Sequence, residues 1–308
     1  MTTPMISEQW PKFVLPIIRK EWDQSMNAVA SPLMSLLGVE SSQSSVEYSQ
    51  GVGTFGLVPE YNSATAEGAP GAISYDTFNP LFEATFTHKE YAKGVAIERK
   101  LIDDNRTGQI IRKAQSLGHT FGTTRAVHAS GILNNAFATV TGPDSVYLCS
   151  ASHPTNKADA TAISNLGTTA LSYAAVVATL LAGADMNDDR GYPMPSIYNV
   201  LYVPTALQAK AFEITNALGK PGGADNDANF LQSQNLRVVV DPYLTDANNW
   251  FMIDSAQAKM HALWFNRVNP EISMDPTSDF NLVAKYRGYM RYSFGWDDFR
   301  WIYGQNVT

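Results

Sequence analysis

The sequence has little cysteine and no long apolar run, and these shortages exclude several classes of protein. Its single cysteine, Cys149, excludes an intramolecular disulfide framework and is typical of a chain that folds in a reducing cytoplasm. The longest apolar stretch, 173–184, is shorter than the ~18 residues that suggest a membrane span, and its apolar spacing is that of a buried helix. The first residues lack the apolar block of a secretory signal. We therefore expect neither a membrane segment nor a targeting segment.

The sequence is also poor in charge. Charged residues make up 17% of the 308 residues and hydrophobic residues 44%, whereas an average globular protein is about 25% charged. Such a chain can bury a large core, in two subdomains or in one domain with extensions, but has few charges to cover a free surface. We therefore expect much of its surface to contact other protein. The net charge of -7 argues against a general nucleic-acid binder, so any DNA contact must be local.

Alternating apolar residues predict two β segments, Val46–Val58 and Phe78–Ile97, on either side of a tip rich in Gly, Ala, Ser and Pro. They predict one long hairpin, whose arms of about 18 residues would reach on the order of 60 Å. Because an isolated two-stranded ribbon is marginally stable in water, we expect a neighbouring copy to support it. Before the hairpin, the sequence predicts an amphipathic segment around Ile17–Trp22 and a Ser-rich linker at 39–50.

A helical pattern follows the hairpin. Asp103, Asp104 and Thr107 are candidate N-caps, and apolar residues at helical spacing run from Ile110 to Phe137. The pattern predicts one helix of about 28 residues, or roughly 42 Å. Glycine disfavours helix, so its internal glycines indicate close backbone contact or curvature; they are Gly118, Gly122 and Gly131.

Charge changes sign after this helix. Basic residues outnumber acidic ones from 88 to 125, and acidic residues outnumber basic ones from 185 to 254. The acidic region alternates helices and strands and is predicted to form a compact α/β lobe between the long helix and the C-terminal strands. Its predicted helices lie at 172–184 and 205–214, and its strands lie at 197–203, 236–240 and 250–253.

The C-terminal region is rich in aromatic residues at strand spacing. One set is Tyr292, Phe294 and Trp296; a second set, Phe299, Trp301 and Tyr303, has the opposite parity. This pattern predicts a core strand with a bulge or kink near 297–298. Asp297 and Asp298 are not a predicted catalytic pair, because neighbours on one strand point to opposite faces.

No catalytic, cofactor-binding or metal-binding residue is predicted. Cys149 and His153 are four residues apart, but no motif or third group accompanies them. The stretch from Asp185 resembles the start of a calcium loop, yet its glycine comes one residue late and position twelve is Ser196. The five histidines form no zinc spacing, and the "GKPGG" stretch lacks the other parts of a phosphate-binding loop.

Several segments carry a resemblance to a known family. The order of a long β arm, a long helix, an inserted α/β lobe and C-terminal strands resembles the tailed-phage major capsid fold, the Hong Kong-97-like fold. Five stretches look like the Mu-like major head subunit group: "ASGILNNAF" at 129–137, "SASHPTNKADATAISN" at 150–165, "LYVPTALQAKAFEI" at 201–214, "WFMID" at 250–254 and "WDDFRWIYG" at 296–304.

The resemblance implies an α+β fold with defined parts. Residues 1–45 would be an N-terminal arm, 46–98 an extended loop formed by the long hairpin, and 99–164 a peripheral domain with a spine helix. Residues 165–262 would be an axial domain, and 263–308 the strands that complete the peripheral domain. The aromatic C-terminal strand would then pack under the spine helix.

The resemblance also implies a function. The chain would be the major capsid protein of a tailed double-stranded DNA bacteriophage, assembled in the host cytoplasm into hexamers and pentamers of an icosahedral shell around the genome. It would be neither an enzyme nor a cofactor-binding protein. The candidate subunit contacts in the extended loop are Glu60, Tyr61, Glu67, Tyr75, Asp76 and Phe78. The candidates to face packaged DNA, unless they form a solvated helix face, are Arg106, Arg112, Lys113 and Arg125.

Departures from the family pattern bear on the partners. Residues 57–80 contain no lysine, so a covalent crosslink at the tip is not expected, and the shell would be held by non-covalent contacts or by a decoration protein. No long charged helical segment precedes residue 46, so a separate scaffolding protein is expected, beside a portal protein, unless a propeptide has already been removed. The alternative functions are an encapsulin-like nanocompartment, a fibre or surface-layer protein, which would predict repeats, and an enzyme that uses Cys149.

Overall fold

The computed structural model describes residues 10–58, 75–76, 80–104, 106–156, 162–221, 228–274 and 283–308. The helices of these parts are α1 Trp10–Asn27, α2 Lys100–Asp103, α3 Thr107–Asn134, α4 Tyr173–Ala184, α5 Gln208–Asn216, α6 Phe230–Ser233 and α7 Ser255–His261. The strands are β1 Gly38–Ser41, β2 Val46–Val52, β3 Pro80–Thr87, β4 Lys89–Glu98, β5 His153–Pro154, β6 Ala162–Ile163, β7 Leu166–Gly167, β8 Val200–Pro204, β9 Arg237–Asp241, β10 Trp250–Ile253, β11 Ala262–Met274, β12 Val283–Trp296 and β13 Ile302–Gln305.

The first sheet has four strands in the order β1-β11-β12-β4 and supports the long helix α3. Strands β11 and β12 are antiparallel, and β4 pairs with β12 from Glu98↔Val283 to Lys89↔Tyr292. Alternate residues of β12 are buried, as a strand with one face on a core requires. Tyr292 on this buried face binds His128 of α3, with 2.7 Å between the hydroxyl oxygen and Nδ1. The expected packing of the aromatic strand under the helix is thus observed.

Helix α3 has the predicted length, and two of its three glycines have the predicted role. A Cβ atom on Gly118 would lie 2.3 Å from the carbonyl oxygen of Trp22, and one on Gly122 would lie 2.6 Å from that of Met26. Both glycines therefore let the backbones of α1 and α3 approach closely. A Cβ on Gly131 would meet nothing within 4 Å. The predicted caps are wrong, since the N-cap residue is Arg106 and it makes no side-chain cap bond.

The segment 39–50 was predicted to be a linker and is not one. Strand β1 starts at Gly38 and pairs in parallel with β11, and β2 starts at Val46. Strand β1 has four residues, is largely exposed and contains one large apolar residue, Val39, so its sequence lacks the alternation that identifies a half-buried strand. Strand β2 begins the β segment that was predicted from Val46.

The hairpin is shorter than predicted. Strands β2 and β3 pair antiparallel from Val46↔Thr87 to Val52↔Pro80, but the following strand, β4, leaves them and joins β12. The change occurs at His88, which is buried and contacts Ser42 and Ser293 through its two ring nitrogens, at 3.0 and 2.9 Å. The parity change between Phe86 and Tyr91 in the sequence therefore marks the transfer of the chain from the hairpin to the sheet.

The second sheet has five strands in the order β7-β13-β10-β8-β9. Helices α4 and α5 pack on it through residues that include Val176 and Ile214. The five predicted elements of the α/β lobe are confirmed as α4, β8, α5, β9 and β10.

The last strand does not lie in the sheet to which we assigned it. Strand β13 pairs with β10 and β7 of the second sheet. Residues 263–308 were expected to complete the peripheral domain, which contains the long helix α3. The predicted kink at 297–298 is a turn between the two sheets, and the parity change of the aromatic residues reflects that transfer.

Candidate functional site

The loop end of the paired β2–β3 hairpin, beyond Val52↔Pro80, is held by acidic side chains of a turn in the α/β lobe. Thr54 follows β2, and its amide donates a hydrogen bond to Asp189 Oδ1 at 2.9 Å. Its hydroxyl donates to Asp188 Oδ2 at 2.8 Å and also to Asp189. Since the two aspartates lie about 135 residues beyond Thr54 in the chain, these bonds tie the hairpin to the α/β lobe.

Asp188 also closes its own turn. Its Oδ1 accepts hydrogen bonds from the amides of Arg190 and Tyr192, at 2.9 and 2.8 Å. Burial raises the pKa of Asp188, but the hydrogen bonds from Thr54 and from these two amides outweigh it, so the pKa lies below its usual value. The segment is a polar turn rather than a calcium loop, and no group of three metal-ligating side chains occurs in the described parts of the chain.

Asp76 on the far side of the hairpin completes this anchor. It accepts a hydrogen bond from the amide of Gly56 at 2.7 Å and from the Arg190 guanidinium at 2.9 Å. Asp76 is thus engaged within its own subunit, while Tyr75 beside it is 87% exposed. The other predicted contact residues of the extended loop, Glu60, Tyr61, Glu67 and Phe78, lie outside the described residues.

A second polar anchor joins the hairpin to the C-terminal turn. Asp297 accepts a hydrogen bond from the Ser49 hydroxyl of β2 and lies 2.8 Å from His261 Nδ1 at the end of α7. The hydrogen bond to Asp297 raises the pKa of His261, against the opposing effect of burial. Next to it, Asp298 pairs with Arg300 at 2.8 Å. Four of these residues line a cavity of about 250 Å³ beside the loop end of the hairpin: His261, Asp297, Asp298 and Arg300.

The predicted DNA-facing residues do not lie together. Arg106, Arg112 and Lys113 are exposed near the start of α3. Arg125 is half-buried, with its guanidinium carbon 5.8 Å from the centre of the Trp264 ring, and burial lowers its pKa. The first three residues therefore form an accessible basic surface, and Arg125 is part of the packing between α3 and β11.

Cys149 and His153 do not form a nucleophile and base. Cys149 is buried, and burial raises the pKa of its thiol, which opposes formation of a thiolate. The His153 ring binds Asp144 through Nδ1 at 2.6 Å and Asn165 through Nε2 at 3.1 Å, and it stacks on Phe299. Both ring nitrogens are therefore used in structural contacts.

An aromatic groove of about 780 Å³ lies between the hairpin base, the second half of α3 and the end of β12. Tyr91, His128, Phe294 and Trp296 line it.

No membrane-crossing helix, as judged by length and apolar character, occurs in the described part of the chain.

Sequence reasoning missed the anchors of the hairpin. The polar character of the "DMNDDRGYP" turn at 185–193 is evident from its sequence, but its contact with Thr54, 134 residues earlier in the chain, is not. A local sequence pattern predicts only that the aspartate closes its own turn through one carboxylate oxygen. It does not indicate whether a distant hydroxyl donates to the other oxygen.

The fold is that of virus shell proteins. The procapsid protein of bacteriophage JBD30 matches with a TM-score of 0.55 and 13% identity, over 98% of this chain and 77% of that one. The virus-like particle from Pyrococcus furiosus matches with a TM-score of 0.56 and 9% identity, over 94% of this chain and 98% of that one. The JBD30 capsid decorated with minor capsid protein trimers matches with a TM-score of 0.53 and 16% identity, over 70% of this chain and 91% of that one.

The sequence itself identifies the family. The profile of the family described as "Phage capsid protein" matches residues 83–304, which is well over half of the chain. The chain therefore belongs to the phage capsid protein family. It is a structural shell protein of the virion and not an enzyme. Comparison with curated proteins gives no match.

Proposed function

We propose that this chain is the major capsid protein of a tailed double-stranded DNA bacteriophage, with the Hong Kong-97-like fold and closest to the Mu-like head subunits. Copies would form the hexamers and pentamers of an icosahedral shell, assembled in the host cytoplasm. The observation that supports this most is the family match over 83–304, which covers α3 and, apart from β1 and the last residue of β13, both sheets.

The hairpin supports a role in assembly. Large apolar side chains in and after β2 are exposed to solvent: Tyr48 is 66%, Leu57 72% and Val58 95% exposed. Exposed apolar side chains on a two-stranded ribbon are characteristic of a surface that another protein covers. Many weak contacts of this kind, repeated around a ring, add up to a closed shell.

The proposed parts follow the sequence-based assignment with one change. Residues 1–45 would be the N-terminal arm, 46–98 the extended loop and 99–164 the peripheral domain. Residues 165–262 would be the axial domain, which also takes in β13, and the rest of 263–308 would complete the peripheral domain. The second sheet supports the proposed axial domain, because its strands β7, β8, β9, β10 and β13 form one sheet. Strands β1 and β4, from the proposed arm and extended loop, join the first sheet.

The proposed partners are other copies of the chain, a separate scaffolding protein, a portal protein and a decoration protein. A decoration protein is supported by analogy with the JBD30 capsid, which is decorated with minor capsid protein trimers. Packaged DNA would be held without sequence preference, since the net charge of -7 leaves only local basic surfaces for it.

Electron microscopy of negatively stained protein, combined with sedimentation, tests this function. The chain is expressed alone and together with a candidate scaffolding protein. We expect closed shells, or rings of five and six subunits. A stable monomer under all conditions would contradict the proposal, and shells that enclose an enzyme would indicate a nanocompartment instead.

A further inference from the structure

The cavity beside the loop end of the hairpin is strongly acidic. Its volume is about 250 Å³. Among the described residues, the basic side chains that line it are His261 and Arg300. Five aspartates also line it: Asp144, Asp188, Asp189, Asp297 and Asp298. Hereafter "acidic cavity" means this site.

The charges around the acidic cavity do not balance. Aspartates are usually ionised near neutral pH, so five negative charges face one guanidinium and one imidazole. Even when His261 is protonated, five against two leaves an excess of three negative charges. Two further basic groups lie nearby without lining the cavity: His153 binds Asp144, and Arg190 binds Asp76. Like charges around one cavity repel each other, and a cation relieves that repulsion.

Two hydroxyl groups of the wall have hydrogen-bonding capacity that the subunit itself does not use. The Thr54 hydroxyl lies within hydrogen-bond distance of both Asp188 and Asp189, but its one proton serves one carboxylate at a time. Thr155 lines the cavity and is 7% exposed, and its buried hydroxyl has no hydrogen-bond partner among the described residues. Buried hydroxyl groups nearly always have a partner in protein, water or an ion. The wall therefore offers hydrogen bonds as well as negative charge to a ligand.

The placement of the carboxylates favours a hydrated ion over a bare one. In the described parts of the chain, no three His, Cys, Asp or Glu side chains are placed to hold one metal ion directly, as Zn²⁺ and Ca²⁺ usually require. Mg²⁺ gives up water reluctantly and keeps several waters of its octahedral shell. Six waters occupy roughly 180 Å³, and the cavity of about 250 Å³ is large enough for them. Its carboxylates can accept hydrogen bonds from such a shell.

An ion in the acidic cavity would touch parts of the fold that are far apart in the chain. Thr54 belongs to the hairpin, and Asp188 and Asp189 belong to the turn in the α/β lobe. Asp297 and Asp298 belong to the turn between the two sheets. Neutralising these carboxylates together would hold the loop end of the hairpin against both sheets.

We propose that the acidic cavity binds hydrated Mg²⁺ and that this ion fastens the hairpin to the α/β lobe. The waters of the ion bond to the three aspartates that also contact the hairpin, Asp188, Asp189 and Asp297. This site goes beyond the proposed capsid function, because it belongs to a single subunit and is present before assembly.

Thermal unfolding of the full-length, unassembled subunit in Mg²⁺ and in Na⁺ is the first test. The two samples contain about 10 mM MgCl₂ and about 30 mM NaCl, which have equal ionic strength and screen surface charges alike. We expect the midpoint in Mg²⁺ to be roughly 3 °C higher, because the ion binds the folded subunit and not the unfolded chain. Equal midpoints in the two salts would overturn the proposal.

Removal of one charge from the acidic cavity is the second test. The variant Asp189→Asn keeps an oxygen that accepts from Thr54, but Mg²⁺ should raise its midpoint by less than about 1 °C. The matched control is Asp185→Asn, at an exposed position of the same turn that does not line the cavity. It should keep the full response to Mg²⁺. If Asp189→Asn does not fold, Asp297→Asn replaces it. Equal responses in the folded cavity variant and the control would place the ion elsewhere and overturn the proposal.

Hexaamminecobalt(III) tests whether the bound ion keeps its shell. Its ammonia ligands resemble the octahedral waters of Mg²⁺, but they do not exchange. We expect it to raise the midpoint of the wild type and of Asp185→Asn, and to have a much smaller effect on Asp189→Asn. If Mg²⁺ stabilises the subunit and hexaamminecobalt does not, the ion binds protein oxygens directly, and the proposal of a hydrated ion is overturned.

Discussion

Gly118 lies where α1 crosses α3, and its missing side chain sets the distance between the two helices. We expect Gly118→Ala to lower the free energy of unfolding by about 1–3 kcal/mol, because the new methyl group would overlap the Trp22 carbonyl, 2.3 Å away. Gly131→Ala is the matched control. It meets nothing within 4 Å and should raise stability by up to about 1 kcal/mol through helix propensity. Chemical denaturation of both variants measures the difference; equal effects would contradict the packing argument.

His261 gives the hairpin anchor a pH dependence. The hydrogen bond to Asp297 raises its pKa from the usual 6.5, so its stabilising contribution is complete below that value and is lost as pH rises through the folded-state pKa. We expect His261→Gln to lower the thermal midpoint by roughly 2–4 °C near pH 5.5, and by less near pH 9. Thermal unfolding of both proteins at the two values measures this. A difference that does not change with pH would show that the ion pair contributes nothing.

The role of a single residue could be predicted where it depends on its neighbours in the sequence. The incidental nature of Cys149 and His153 followed from the absence of a third group around them, and the structure gives His153 two structural partners. Arg125 was wrongly grouped with Arg112. It lies four residues after Phe121, on the apolar face of α3, so helical spacing already indicated that it would be covered. Its partner, Trp264, lies more than 130 residues away in the chain and could not be predicted.

At the scale of elements, the hairpin depends on its polar anchors. We expect Thr54→Val to increase the rate of protease cleavage within the hairpin of unassembled subunits about tenfold. The hydroxyl binds both Asp188 and Asp189, and losing it corresponds to about 1–1.5 kcal/mol of local stability. Thr85→Val, at an exposed position of β3, is the matched control. Equal cleavage rates in the two variants would mean that Thr54 does not restrain the hairpin.

Long regular elements were predictable, and their pairing was not. The 28 residues of α3 and the strands of the α/β lobe follow from apolar periodicity. Strand β4 looked like the second half of a hairpin arm because its alternation continues from β3 after one skipped residue. Its true partner, β12, lies about 190 residues later, and only tertiary packing selects it.

At the scale of the whole molecule, the C-terminal strand is structurally essential. Deletion of 302–308 removes β13 from between β7 and β10 and leaves two sheet edges unpaired. We expect the truncated chain to lose cooperative unfolding of the α/β lobe and to aggregate. Deletion of the exposed Thr308 alone is the control and should behave like the wild type. Soluble, cooperatively folding truncated protein would show that the second sheet is stable without this strand.

The position of β13 also has a consequence for synthesis of the protein. Strands β11 and β12, which complete the first sheet, and β13, which completes the second, all come from the last 47 residues of the chain. Neither sheet can form in full before residues 262–305 have left the ribosome. Strands β1, β4, β7 and β10 must therefore wait, unpaired on at least one side, until these residues have been translated.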